Sequence, residues 1–332
     1  MDLRQILLHG GTLVVDPSLM RSTPDEFLAQ YGSYMDSVCL VAKSETGSTY
    51  YPSFTAPKDP QFGDFFSSFA QIANDIGIKV YAELHANIDY YLSRDSNFAM
   101  VKSGGQPVKG YVCPARQPYW YYLSEIAAEI VQYPVDGIIL KDAVYPQLAC
   151  FCESCRREFL EVDKFLDRDF GYERLEAKPE TLTKWYRRRL QSLSGMIGSI
   201  INRVNTQRQI EVFSEILLDP QVSYMQGAAS YFAQDINYLS QVSSHMLLHI
   251  HPWTSELPVA ESPEMDAFIN AIAPIRDRGE SINNSLYFWN TTEATLEFAE
   301  IVRSILGSQN TFYMDQAPPS YSDRRSYQLG LF

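Results

Sequence analysis

Short apolar runs alternate with longer stretches of helical spacing from one end of the chain to the other. The runs are Leu7–Val15, Ser37–Lys43, Gly77–His85, Gly137–Asp142, Gln209–Leu217, Ser243–His251, Ser285–Asn290 and Asn310–Asp315. Most are too short and too evenly apolar for amphipathic helices, and they read as strands buried on both faces. Pro24–Gln30, Phe62–Ile76, Pro118–Gln132, Cys155–Leu166, Pro179–Val204, Glu264–Arg276 and Thr292–Leu306 carry the helical period. Thr23 stands where a helix cap is expected, and Gly77 where a helix stops. Ala86–Gln117, with Gly104-Gly105 at its centre, reads as a long loop. Eight strands in alternation with helices predict an α/β fold, a (β/α)₈ TIM barrel formed as one domain over residues 1–332. A doubly wound open sheet is the competing arrangement. It wants a glycine-rich phosphate turn after an early strand, and His9-Gly10-Gly11-Thr12 matches that poorly.

In such a barrel, chemistry gathers at the C-terminal ends of the strands. The residues there include Asp16, Lys43, Glu83, His85, Asp142, Glu215, His249, His251, Trp289, Asn290 and Asp315. Residues two apart on a strand share a face, so Glu83, His85 and Asn87 can point one way, as can His249 and His251.

Composition narrows the partners. The net charge is -13, and the one basic cluster, Arg187-Arg188-Arg189, lies in a helical pattern, which argues against nucleic acid and anionic membranes. No apolar stretch reaches membrane-spanning length. The first residues lack the pattern of a secretory signal, so a cytoplasmic location is expected.

Three of the five cysteines fall in Cys150-x-Cys152-x-x-Cys155. In a reducing compartment such a cluster more often binds metal than forms disulfides. Tetrahedral zinc needs a fourth ligand, and Cys113, in the preceding long loop, is on the same side of the expected barrel. A four-thiolate site has no open position, so Zn²⁺ there would be structural. The alternative is a set of reduced, buried thiols. Cys39, inside an apolar strand, is read as core. A zinc deaminase is excluded, because Glu83-Leu84-His85 reverses the required order and no proline precedes Cys152.

Val112-Cys113-Pro114, a helix, a strand ending in a carboxylate, and then the cysteine cluster together resemble the zinc-bearing segment of the family 42 β-galactosidases. The run from Asp136-Gly137 to Pro146, and Cys150 to Phe159, is similar to a group of glycoside hydrolase barrels related to the α-L-fucosidase and α-amylase superfamilies. Val41-Ala42-Lys43, Tyr50-Tyr51-Pro52-Ser53 and Gly77–Val80 extend that likeness over roughly residues 36–160. The expected seventh strand lacks the glutamate that serves family 42 as nucleophile. The fucosidase and amylase patterns instead imply a nucleophile at Asp142 and a general acid/base at Glu215.

Glycosidic cleavage uses two carboxyl groups, ~5 Å apart in retaining enzymes and ~6.5–9.5 Å in inverting ones. Adjacent strands lie ~4.8 Å apart, so groups ending neighbouring strands can meet across a sugar. A retaining glycoside hydrolase is therefore expected, with Lys43 or Lys141 keeping Asp142 ionised. His85, His249, His251, Asn290, Glu83, Lys43 and Asp315 are expected to bind sugar hydroxyls, and Tyr145, Trp289 and Trp253 to stack on sugar faces. One alternative is a catalytically silent barrel that binds carbohydrate or acts as a scaffold. Another is metal chemistry through His85, His249 and His251. Association into a homo-oligomer fits either, with no interface specified.

Overall fold

The computed structural model describes residues 3–146, 149–162, 164–218, 225–250, 262–277, 282–289, 291–308 and 310–314. Ten strands are present among them. They are β1 (Thr12–Val15), β2 (Ser37–Lys43), β3 (Lys79–His85), β4 (Ala99–Val101), β5 (Pro107–Val112), β6 (Gly137–Lys141), β7 (Glu211–Leu218), β8 (His245–Ile250), β9 (Asn283–Trp289) and β10 (Asn310–Met314). Eight close into a barrel in the order β1-β10-β9-β8-β7-β6-β3-β2, with parallel pairing such as Ala82 to Ile138 and Leu248 to Leu286. These are the eight expected strands.

The surrounding helices are α1 (Leu3–Leu8), α2 (Pro24–Tyr31), α3 (Phe65–Asp75), α4 (Gln117–Ile130), α5 (Glu153–Glu161), α6 (Tyr172–Glu176), α7 (Pro179–Asn205), α8 (Met225–Phe232), α9 (Ile236–Leu239), α10 (Pro263–Arg276) and α11 (Glu293–Leu306). Local signals fix their starts. Thr23 and Glu26 cap α2 reciprocally with Pro24 behind them, and Thr292 caps α11, which ends on Gly307 in the left-handed region. Among the described residues no helix is long and apolar enough to cross a membrane.

Several segments differ from the sequence expectation. Leu3–Leu8 is a helix, because Leu3, Ile6 and Leu7 recur at helical spacing, and the first strand begins only at Thr12. Ala86–Gln117 is not all loop, since β4 and β5 form an antiparallel hairpin within it, with Gly105 at positive φ near the turn. The helix after the cysteines starts at Glu153 and ends at Glu161, earlier than Cys155–Leu166. Helices α6, α8 and α9 fall where periodicity assigns nothing.

The barrel interior is layered. Val14, Cys39, Tyr81, Ile139, Phe213, Leu247, Tyr287, Phe312 and Met314 form a buried cluster separate from the larger core around the barrel. Tyr81 meets Phe312 at 5.2 Å and Phe213 at 5.9 Å, ring edge to ring face, a favourable arrangement. Side chains alternate along a strand. With Tyr81, Ile139, Phe213 and Leu247 inward, Glu83, His85, Lys141, Glu215 and His249 must point inward as well, above the apolar plug.

Candidate active site

These inward polar groups are almost entirely buried and bonded to one another. His85 donates from Nδ1 to Asp142 Oδ2 at 2.7 Å and from Nε2 to Glu83 Oε1 at 3.2 Å. Tyr287 donates its hydroxyl to Glu83 Oε2 at 2.8 Å. Lys141 donates to Glu215 Oε1. His249 Nδ1 lies 2.7 Å from both Lys141 Nζ and Glu215 Oε1. The Asp142 N–H donates to Glu215 Oε2 at 2.6 Å. Lys141 also sits 4.8 Å from the centre of the Tyr287 ring.

Two groups titrate away from their ordinary range. Burial works against a charge on His85, yet the bonds to Asp142 and Glu83 outweigh it and push the imidazole up to about 9. Burial pushes the Glu215 carboxyl above its ordinary value. Lys141 pulls against this, and the adjacent Asp142 adds to it. Asp142 itself has φ 54, the left-handed region, which few residues other than glycine, asparagine and aspartate enter.

The geometry shows which partners the expected site residues have. Lys43 is fully buried, pairs with Asp89 Oδ2 at 3.1 Å and donates to the His85 carbonyl at 3.1 Å, while Lys141 serves Glu215. His85 is a partner of Asp142, and its two ring nitrogens face the carboxylates of Asp142 and Glu83. Glu83 is engaged by His85 and Tyr287, and His249 by Lys141 and Glu215. Asn87 turns away, donating to the Val112 carbonyl at 3.1 Å. Tyr145 is buried under the Arg189 guanidinium at 5.1 Å, beside the cysteines, and cannot stack on a sugar. Only the backbone of Trp289 is described; His251, Trp253, Asn290 and Asp315 lie outside the described residues. Periodicity alone did not point to Tyr287, Asp89 or Arg189. The first shares the inward parity of Trp289, which was a usable signal.

Beside this network lies a cleft of about 230 Å³ at the C-terminal ends of β1, β2 and β3. His85 reaches its wall. Asp16, Ser44, Glu45, Tyr50, Asp59 and Phe62 are among its other lining residues. Tyr50 donates to Asp16 Oδ1 at 3.4 Å, and its ring meets Phe62 edge-on at 6.3 Å.

Cys113, Cys150, Cys152 and Cys155 come together as one cluster, their sulfurs all within 4.8 Å of one another and those of Cys113 and Cys155 3.5 Å apart. A metal–sulfur distance of ~2.3 Å gives sulfur–sulfur edges of roughly 3.8 Å in a tetrahedron, so the four residues present fit a metal ion. Val101 and Cys152 donate backbone N–H groups to Cys150 Sγ at 3.3 and 3.4 Å. Among the described residues this is the one such group of metal-binding side chains.

A closed parallel barrel with a polar layer at its C-terminal end belongs to an architecture that glycoside hydrolases use. The glycoside hydrolase domain of PgaB (BpsB) from Bordetella bronchiseptica is similar, with TM-score 0.66 and 15% identity over 96% of this chain and 98% of that one. The catalytic domain of a β-amylase from Paenibacillus polymyxa aligns with TM-score 0.62 and 12% identity, over 96% and 98%. A β-galactosidase from Marinomonas ef1 gives 0.59 and 11% over 91% of this chain and 53% of that one. At these identities the likeness establishes the fold. No family model and no curated protein matches the sequence.

Proposed function

We propose that the chain is a glycoside hydrolase, one barrel domain over residues 1–332, that cleaves an oligosaccharide or glycoside with retention. Asp142 is the nucleophile and Glu215 the general acid/base. The observation that carries this is the opposite treatment of two carboxyl groups on neighbouring strands. Asp142 pairs with His85 at 2.7 Å, while burial raises the Glu215 carboxyl above its ordinary value against the pull of Lys141. One charged carboxylate and one proton-holding carboxyl are what glycosidic cleavage needs.

Asp142 attacks the anomeric carbon as Glu215 gives its proton to the departing oxygen. Glu215 then takes a proton from the water that releases the sugar. The cleft beside His85 holds the sugar, with Asp16 and Ser44 toward its hydroxyls and the Tyr50 and Phe62 rings toward its apolar face. Lys43, Glu83, Lys141 and His249 position the pair. Sugar-binding roles are proposed for His251, Trp289, Asn290 and Asp315 from their sequence positions. The cysteine cluster holds zinc, whose contribution is structural, since four thiolates leave it no open position.

Asp142→Asn and Glu215→Gln, assayed on a panel of aryl glycosides, are each expected to lose about 10²–10⁴-fold in kcat. Hydrolysis at the wild-type rate by either variant removes that residue from the mechanism. Full burial of Glu215, with both oxygens engaged, favours a second reading, a silent barrel that binds carbohydrate. Calorimetric binding of a glycan with no turnover by the wild type would select it.

A further inference from the structure

Arg189 sits in the middle of α7 and is 3% exposed. Its side chain donates to three backbone carbonyls, Pro146 at 2.8 Å, Tyr231 at 3.0 Å and Ser230 at 3.3 Å. It also lies against the rings of Trp185 at 4.6 Å and Tyr145 at 5.1 Å. Its Nε finds no acceptor, and among the described residues no carboxylate pairs with it. The neighbouring cations are provided for, Arg188 by Glu158 at 3.7 Å and Arg156 by Asp167 at 2.7 Å. A buried guanidinium cannot shed its proton, so it needs an anion nearby. The groups that share its small cavity are Cys150 and Cys155, with Tyr145, Phe159, Trp185, Ser192 and Arg188, the last already paired with Glu158.

We infer that Arg189 is the counter-ion of the metal-loaded cysteine cluster. Four thiols that take up a divalent ion release their protons and become a net dianion, and Arg189 is the cation placed to balance it. The same side chain ties the cluster to the proposed catalytic pair. It holds the Pro146 carbonyl, four residues past Asp142, and the carbonyls of α8. Just beyond α8, Gln234 accepts from Leu217 N at 2.8 Å and donates to the Ala143 carbonyl at 3.0 Å. Metal loading is thereby coupled to the segment that follows Asp142. This inference rests on the zinc reading of the cluster.

The test compares purified wild type, R189Q and R189K for zinc per chain and for the rate at which a colorimetric chelator removes it. The wild type is expected to carry one zinc. R189Q should release it at least tenfold faster, and R189K, which keeps the charge, should stay within about threefold of wild type. In the metal-free proteins, R189Q should lower the melting temperature less than it does in the zinc-loaded ones, a dependence on metal that a purely packing role would not give. Zinc released by R189Q at the wild-type rate overturns the counter-ion role while leaving zinc binding intact. Absence of zinc from the wild type overturns the metal reading itself. Should R189Q not fold, R189K decides, since release tenfold faster with the charge retained also overturns the proposal.

Discussion

His85 is the residue on which the site's electrostatics turn. Held between Asp142 and Glu83, it keeps a proton up to about pH 9, whereas in the unfolded chain it loses that proton near ~6.5. Its contribution to stability is therefore complete below about pH 6.5 and disappears as pH rises through about 9, amounting to about 3 kcal/mol. Glu215, whose proton is also held more tightly in the fold, acts in the same direction. Urea unfolding from pH 6 to 10 should show wild-type stability falling across that window, and His85→Gln should flatten the fall; an equally steep decline in the variant would exclude His85 as its source. Identity and parity of this residue were legible in the sequence, because Glu83 and His85 are two apart on one strand. Its partners were not. Whether Asp142 meets a lysine or a histidine depends on which way Lys43 and Lys141 lean, and each was claimed by an acid on a different element, Asp89 and Glu215.

At the scale of the element, the strands were legible and the connections less so. A buried parallel strand must be apolar along its length, which marks Val38–Ala42 and Ile138–Leu140 plainly. The β4–β5 hairpin carries lysine and glycine in exposed positions and leaves no such signature. Leu3–Leu8 misled because Ile6-Leu7-Leu8 reads as a strand when Leu3 is ignored. The turn after it is specific. At Gly11 a Cβ would lie 2.5 Å from Tyr313 Cδ2, and that ring is 2% exposed and stacked on Phe288 at 5.7 Å. The ring cannot withdraw, so Gly11→Ala should cost about 1–3 kcal/mol through overpacking at the seam where β1 meets β10. At Gly10 nothing lies within 4 Å of the added carbon, and Gly10→Ala should cost only about 1–2 kcal/mol for the positive φ. Denaturant midpoints separate the two, and a Gly11 variant as stable as wild type would mean the seam adjusts more freely than its packing implies.

For the whole molecule, the question is whether the polar layer serves the fold or another purpose. Below it, Tyr81, Ile139, Phe213 and Phe312 already fill the barrel, and the eight-strand ladder closes without help from charged groups. Removing Lys141, Glu215 and His249 from water is costly, and a buried ionic cluster of this kind seldom gains more than well-packed apolar side chains of similar volume would. A chain selected for stability alone has no reason to keep it. Two results should therefore diverge. Lys141→Met leaves Glu215 buried without its cation and should cost about 3–5 kcal/mol. The triple variant Lys141→Met, Glu215→Leu, His249→Leu removes the whole cluster and should unfold at no lower urea concentration than wild type, while losing all glycoside hydrolysis. If the triple variant is instead as unstable as the single one, the layer holds the barrel together, and the silent scaffold becomes the better account of why it is there.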